Sequence, residues 1–171
     1  MGHTAVLGFD KESNILLHNL LEPFGANKIP FGRKCNREDA NEAMEYHLTL
    51  YHWPKTMDSY CLSRINGFHS IPCRVQVNRI RIMQAEENSW LLYFEVSPTE
   101  SFLQLKLLFE THTGFCISDF YHITLAVGKD YNEITEIKDY ICKYQTFPFE
   151  LTADRIDLYK IWSPTIKIMS L

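Results

Sequence analysis

Two five-residue stretches, Tyr46-His47-Leu48-Thr49-Leu50 and Tyr121-His122-Ile123-Thr124-Leu125, each set a histidine and a threonine two residues apart in an apolar run. On a β-strand successive side chains alternate faces, so each His and Thr share one face while Tyr46, Leu48 and Leu50 point to the other. Histidine, with an unperturbed pKa of about 6.5, gives or takes a proton at neutral pH. A hydroxyl beside it can donate to an anionic oxygen. Two such strands side by side offer two imidazoles and two hydroxyls to one bound group, and those donors suit a phosphate.

The elements that must position these residues follow from the apolar pattern. Thr4 to Phe9 reads as a strand, and Asp10-Lys11-Glu12-Ser13 starts a helix whose Ile15, Leu16, Leu17, Leu20 and Leu21 recur at helical spacing until Pro23 and Gly25. The stretch 26–41 is polar and holds Lys28, Arg33, Lys34 and Arg37. It reads first as a solvated loop and second as a basic flap near an anionic substrate. After the His47 strand come a helix over 56–68, ended by Gly67, and a strand over 71–83. In that strand Val75 and Val77 share one face and Ile80 and Ile82 the other, which predicts a bulge or change of facing near Asn78. A strand over 90–96, an all-round apolar helix from Glu100 to Gly114 expected to be deeply buried, the His122 strand, a charged helix over 132–144 and strands over 147–161 and 165–169 complete the order.

The halves repeat one another. Ile71-Pro72-Cys73-Arg74-Val75-Gln76-Val77-Asn78-Arg79-Ile80-Arg81-Ile82 lies on Phe147-Pro148-Phe149-Glu150-Leu151-Thr152-Ala153-Asp154-Arg155-Ile156-Asp157-Leu158 without a gap, with Pro, Arg and Ile coincident. Each half is strand, helix, His strand, helix, strand. Lobes at 1–84 and 85–171 about a pseudo-twofold axis bring the two His strands to equivalent places. Arg79 and Arg155 coincide in the repeat and read as ion-pair partners. The halves differ most in the basic stretch, which precedes His47 and has no counterpart before His122, so substrate selectivity is expected there.

Composition limits the function. With 171 residues, 46% of them hydrophobic, the chain is expected to form one domain with a well-buried core. A formal net charge of −4 provides no overall positive field for long nucleic acid. Five scattered cysteines without a Cys-x-x-Cys pair fit reduced thiols rather than a disulfide framework or a zinc site. The N-terminal residues lack a secretory pattern, and no run is long enough for a membrane helix. A cytoplasmic monomer without DNA or membrane partners is expected.

Duplicated lobes, each with a His-apolar-Thr-apolar tetrad on a strand, resemble the 2H phosphoesterase superfamily, which includes RNA 2',3'-cyclic phosphodiesterases once called 2'-5' RNA ligases. The resemblance covers nearly the whole chain. It implies an α+β, bilobal duplicated fold, with two antiparallel-rich sheets flanked by helices around a central groove. It also implies that His47 and His122 are the catalytic pair, that Thr49 and Thr124 bind the substrate phosphate, and that neither a metal nor another cofactor is needed.

The chemistry fits those residue types. Opening a 2',3'-cyclic phosphate or cutting a 2',5' link is an in-line displacement in which one group takes a proton and another gives one. Donors held at the non-bridging oxygens stabilise the charge that develops there. The expected function is a metal-independent phosphodiesterase acting on small nucleotides or RNA termini. The alternatives are 2'-5' ligase-type activity and a nucleotide-binding or RNA-end-binding protein without turnover. Tyr51, on the His47 face by strict alternation, and Arg33 and Lys34 of the basic stretch are candidate substrate contacts. His52, five residues after His47, falls on the opposite face unless a bulge intervenes, and His3, His18, His69 and His112 read as packing or surface residues.

Overall fold

The alternation of the sequence resolves into β1 (Gly2–Phe9), α1 (Lys11–Leu21), β2 (His47–Trp53), α2 (Ser59–Asn66), β3 (Cys73–Glu86), β4 (Ser89–Pro98), α3 (Glu100–Thr113), β5 (His122–Gly128), α4 (Tyr131–Tyr144), β6 (Phe149–Ile161) and β7 (Ile166–Ser170). This computed structural model describes residues 2–24, 46–53, 59–86, 88–161 and 166–170. The basic stretch 26–41, with Arg33 and Lys34, lies outside the described residues, as does Trp162. The order of elements is the one the repeat predicts, and the architecture is α+β with an antiparallel sheet in two halves.

How the halves join could not be read from either alone. β1 pairs with β2, and β4 with β5, inside their own halves. The third strand of each half instead crosses to the other: β3 runs along β4, and β6 runs along β1. The half-sheets then meet at β2–β5 and at the starts of β3 and β6, which closes a ring of strands, and β7 adds to the other edge of β6.

Both junctions are symmetric under the sequence repeat. Leu48 pairs with Ile123, its own counterpart, and Val75 pairs with Leu151, its own counterpart. A pseudo-twofold axis passes through both pairs. The predicted bulge is present, since Asn78 is skipped between Val77↔Val96 and Arg79↔Glu95. Asp154 is skipped at the corresponding place between Gly8↔Arg155 and Phe9↔Ala153.

One continuous core lies between the sheet and the helices. Leu7, Phe9, Leu48, Leu92, Phe94, Ile123 and Ile156 of the strands pack with Leu17 of α1, Ile65 of α2, Phe102, Leu105 and Phe109 of α3, and Ile134 and Ile141 of α4. Helix starts are tied to the exchanged strands. Asp10 caps α1 by accepting from the Ser13 amide, and Ser13 Oγ accepts from the Thr152 amide of β6. Thr99 caps α3, and Ser101 Oγ accepts from the Arg74 amide of β3.

The deep burial expected of α3 is corrected. Its Phe102, Leu105, Phe109 and Thr113 are buried, but Leu103, Leu107 and Leu108 are 49%, 65% and 48% exposed. A helix lying on a sheet buries a single stripe, and apolar residues outside it stay in solvent. Gly114 then ends the helix in the left-handed conformation, φ 74°, where a Cβ would be strained.

Candidate active site

The register of the two His strands assembles the predicted pair. β2 and β5 run antiparallel and are bonded at Leu48↔Ile123. Continuing that register sets His47 beside Thr124 and Thr49 beside His122, all four on the sheet face away from the helices. Burial agrees: Leu48, Leu50, Ile123 and Leu125 are buried, whereas His47, Thr49, His122 and Thr124 are partly exposed. The preceding tyrosines pack on the helix side as expected, Tyr46 against His18 of α1 and Tyr121 against Phe102 of α3, at ring distances of 5.1 and 4.9 Å.

Each His strand carries a one-residue bulge directly after its Thr. Between Val6↔Thr49 and Ala5↔Tyr51 the ladder skips Leu50, and between Tyr93↔Thr124 and Leu92↔Ala126 it skips Leu125. Two consecutive side chains, Leu50-Tyr51 in one copy and Leu125-Ala126 in the other, therefore turn to the core. The facing predicted for Tyr51 is thus corrected. It packs against Trp53 and Phe115 at 4.5 and 5.4 Å and does not share the His47 face. The same bulge turns exposed His52 onto the site face, across from Thr4.

His122 sits between aromatic rings, Phe120 at 4.8 Å and Tyr93 at 5.8 Å. Its Nδ1 is buried without a well-formed hydrogen bond. Burial lowers the imidazole pKa from its ordinary 6.5, and the Phe120 backbone opposes this only in part. His122 is therefore mainly neutral at pH 7. The loop before it is fixed by Lys106 of α3, which donates to Asp119 Oδ1 at 2.6 Å and to the Tyr121 hydroxyl at 3.1 Å.

Solved structures share this architecture, although no protein-family model and no curated protein matches the sequence. Usb1 of Kluyveromyces marxianus is similar with a TM-score of 0.51 at 9% identity, over 98% of this chain and 97% of that one. LigT of E. coli in apo form gives 0.54 at 10%, over 99% and 95% of the two chains. Its complex with ATP gives 0.50 at 12%, over 99% and 96%. TT0787 of Thermus thermophilus gives 0.54 at 15%, over 100% and 97%. This chain has the 2H phosphoesterase fold. At these identities the likeness is one of fold.

Around the His–Thr pairs of this 2H fold, the flanking strands place charges whose facing the sequence did not reveal. Arg79, Glu95 and His122 stand in one row across β3, β4 and β5. Glu95 accepts from Nε and Nη2 of Arg79 at 2.9 and 2.7 Å, and from Nε of Arg81. In the other half the matching row is Arg155, Gly8 and His47. Arg155 donates to the Phe9 carbonyl at 2.7 Å, to Asp154 at 2.8 Å and to buried Asp157 at 3.2 Å. Both repeat-matched arginines are ion-paired, as expected. Among the described residues no three His, Cys, Asp or Glu side chains converge as metal ligands would.

Gly8 leaves room for the Arg155 side chain in that row. A Cβ there would lie 3.0 Å from both Cγ and Nε of Arg155. Gly8→Ala is expected to push Arg155 off Asp157 and the Phe9 carbonyl and to destabilise the protein by about 1–3 kcal/mol, the usual cost of overpacking. Urea unfolding checks this, and an unchanged midpoint refutes it.

Proposed function

We propose that the protein is a phosphodiesterase that opens 2',3'-cyclic phosphates or cuts 2',5' links in nucleotides and RNA ends, using His47 and His122 as the proton-transfer pair and Thr49 and Thr124 as phosphate donors. The observation that supports this most strongly is the crossing of the two His strands at Leu48↔Ile123. A crossing of repeat-equivalent residues puts one imidazole on each side of a single centre, with a hydroxyl from the opposite strand next to each. An in-line displacement needs that arrangement: the base on the side of the attacking oxygen, the acid on the side of the leaving oxygen, and donors between them.

His122 is the base in this reading. A base must be neutral to accept a proton, and burial holds His122 neutral at pH 7. It takes the proton of the attacking water while His47 gives one to the departing 2' oxygen, and the threonine hydroxyls donate to the non-bridging oxygens. No step calls on a metal. The fold agrees with such a role, since LigT was solved with ATP bound. We place the protein in the cytoplasm as a monomer. Cys61, Cys73, Cys116 and Cys142 form no disulfide among the described residues, and no described helix is long and apolar enough to cross a membrane.

The test is turnover of a nucleoside 2',3'-cyclic phosphate and a 2',5'-linked oligonucleotide, with and without EDTA, as a function of pH. EDTA is expected to leave the rate unchanged. The kcat/KM profile is expected to be a bell whose acid limb lies below pH 6.5, because the base acts only once deprotonated and burial lowers the pKa of His122. Absence of turnover, loss of activity in EDTA, or a flat profile between about pH 5 and 8 refutes the proposal.

A further inference from the structure

The repeat builds two different things from the same strand positions. Arg155 and Asp157 form a closed pair: the Arg155 side chain is 25% exposed, that of Asp157 is 3%, and the guanidinium is engaged by a carbonyl and two carboxylates. Their counterparts are Arg79 and Arg81, two cations on one strand face that share the single carboxylate of Glu95. Their side chains are 58% and 44% exposed. Arg79 spends two N–H groups on Glu95 and Arg81 spends one. A guanidinium has five, so most donors of both have no partner among the described residues.

A purely structural role accounts poorly for this cluster. One arginine suffices to neutralise Glu95, exposed ion pairs add little stability, and the second guanidinium leaves a local charge of +1 on a chain whose net charge is −4. Position gives that charge a use. Glu95 stands directly across from His122, and Arg81 lies across from Tyr93, which lies across from Thr124. The cations are therefore about 10 Å, two strand spacings, from the β5 residues of the reacting centre and on the same face.

Resting on the phosphodiesterase reading, we propose that Arg79 and Arg81 form a second anion subsite. It holds a phosphodiester neighbouring the one that reacts, so the preferred substrate is an oligonucleotide lying from the His–Thr centre toward β3. Guanidinium forks suit phosphate oxygens, and the two offered here are only partly used. The closed Arg155–Asp157 pair provides no matching subsite in the other half, which gives the groove one direction.

The experiment compares wild type, Arg79→Gln/Arg81→Gln and Glu95→Gln. Turnover is measured on a 2',5'-linked trinucleotide and on a nucleoside 2',3'-cyclic monophosphate, and fluorescence anisotropy follows binding of the same trinucleotide over a range of salt. The double variant is expected to lose at least about tenfold more kcat/KM on the trinucleotide than on the monophosphate, mainly through KM. Its log affinity against log salt should flatten by about 0.7 for each phosphate that is no longer neutralised. Glu95→Gln, which releases both cations, should bind the trinucleotide more tightly, whereas a structural cluster would bind it less tightly. Equal losses on the two substrates, or an unchanged salt slope, overturn the subsite. The binding arm separates the two proposals: if wild type turns over neither substrate yet binds the trinucleotide with an arginine-dependent salt slope, the phosphodiesterase reading fails and the subsite stands.

Discussion

His47→Ala and His122→Ala are each expected to lower kcat/KM on a 2',3'-cyclic nucleotide by about 10²- to 10⁴-fold, the usual contribution of a positioned acid or base. Folding should change little, because both side chains are partly exposed on the face away from the helices and Leu48 and Ile123 carry the packing of those strands. The two variants should differ in pH dependence. Under the proposed roles, removing His122 should abolish the acid limb and removing His47 the alkaline limb. The double variant is expected to be hardly worse than either single one, since acid and base act in one displacement and residues that act as a unit are not additive. The measurement is kcat/KM against pH for all three, with urea unfolding to verify the fold. Turnover within about threefold of wild type in either single variant, far short of the usual effect of a positioned acid or base, would exclude that histidine from the chemistry.

Thr49→Val and Thr124→Val should cost about 10²- to 10³-fold in kcat each, corresponding to the loss of one donor to a developing oxyanion, about 2.7–4 kcal/mol. Valine keeps the β-branched shape and the strand preference, so only the hydroxyl is lost. The effect should fall on kcat more than on KM, because the charge on the non-bridging oxygens grows toward the transition state. Serine in either place should restore most of the rate. If valine raises KM and leaves kcat intact, the threonines bind ground-state phosphate and do not stabilise the transition state.

Much of the site was legible because strands announce themselves by period. The His–Thr spacing, the matched runs around Pro72 and Pro148 and the change of facing at Asn78 are local patterns, and the structure follows them. Strict alternation misplaces Tyr51 because a bulge interrupts the strand just before it. The signal lay in the sequence, in two consecutive core-type residues after each Thr: Leu50-Tyr51 and Leu125-Ala126. In contrast, nothing local states that β6 pairs with β1. That choice belongs to the whole chain, and with it came the placement of Arg155 and Asp157 beside the row of Gly8 and His47. The exposed Leu103, Leu107 and Leu108 likewise show that apolar composition says which residues a helix can bury, and the sheet beneath it decides which it does.

The exchange of third strands also sets an order of assembly at the ribosome. β1 is made before β6, yet the two are bonded from Gly2↔Ile161 to Phe9↔Ala153. Until β6 emerges, the edge of β1 that it will occupy has no partner from its own sheet, and such edges are open to wrong pairing. A nascent chain halted before Phe149 would hold both His–Thr pairs and still lack Arg155 and Asp157 beside the first. Activity should therefore appear only once β6 has been made, and products truncated before it should be prone to aggregate rather than partly active.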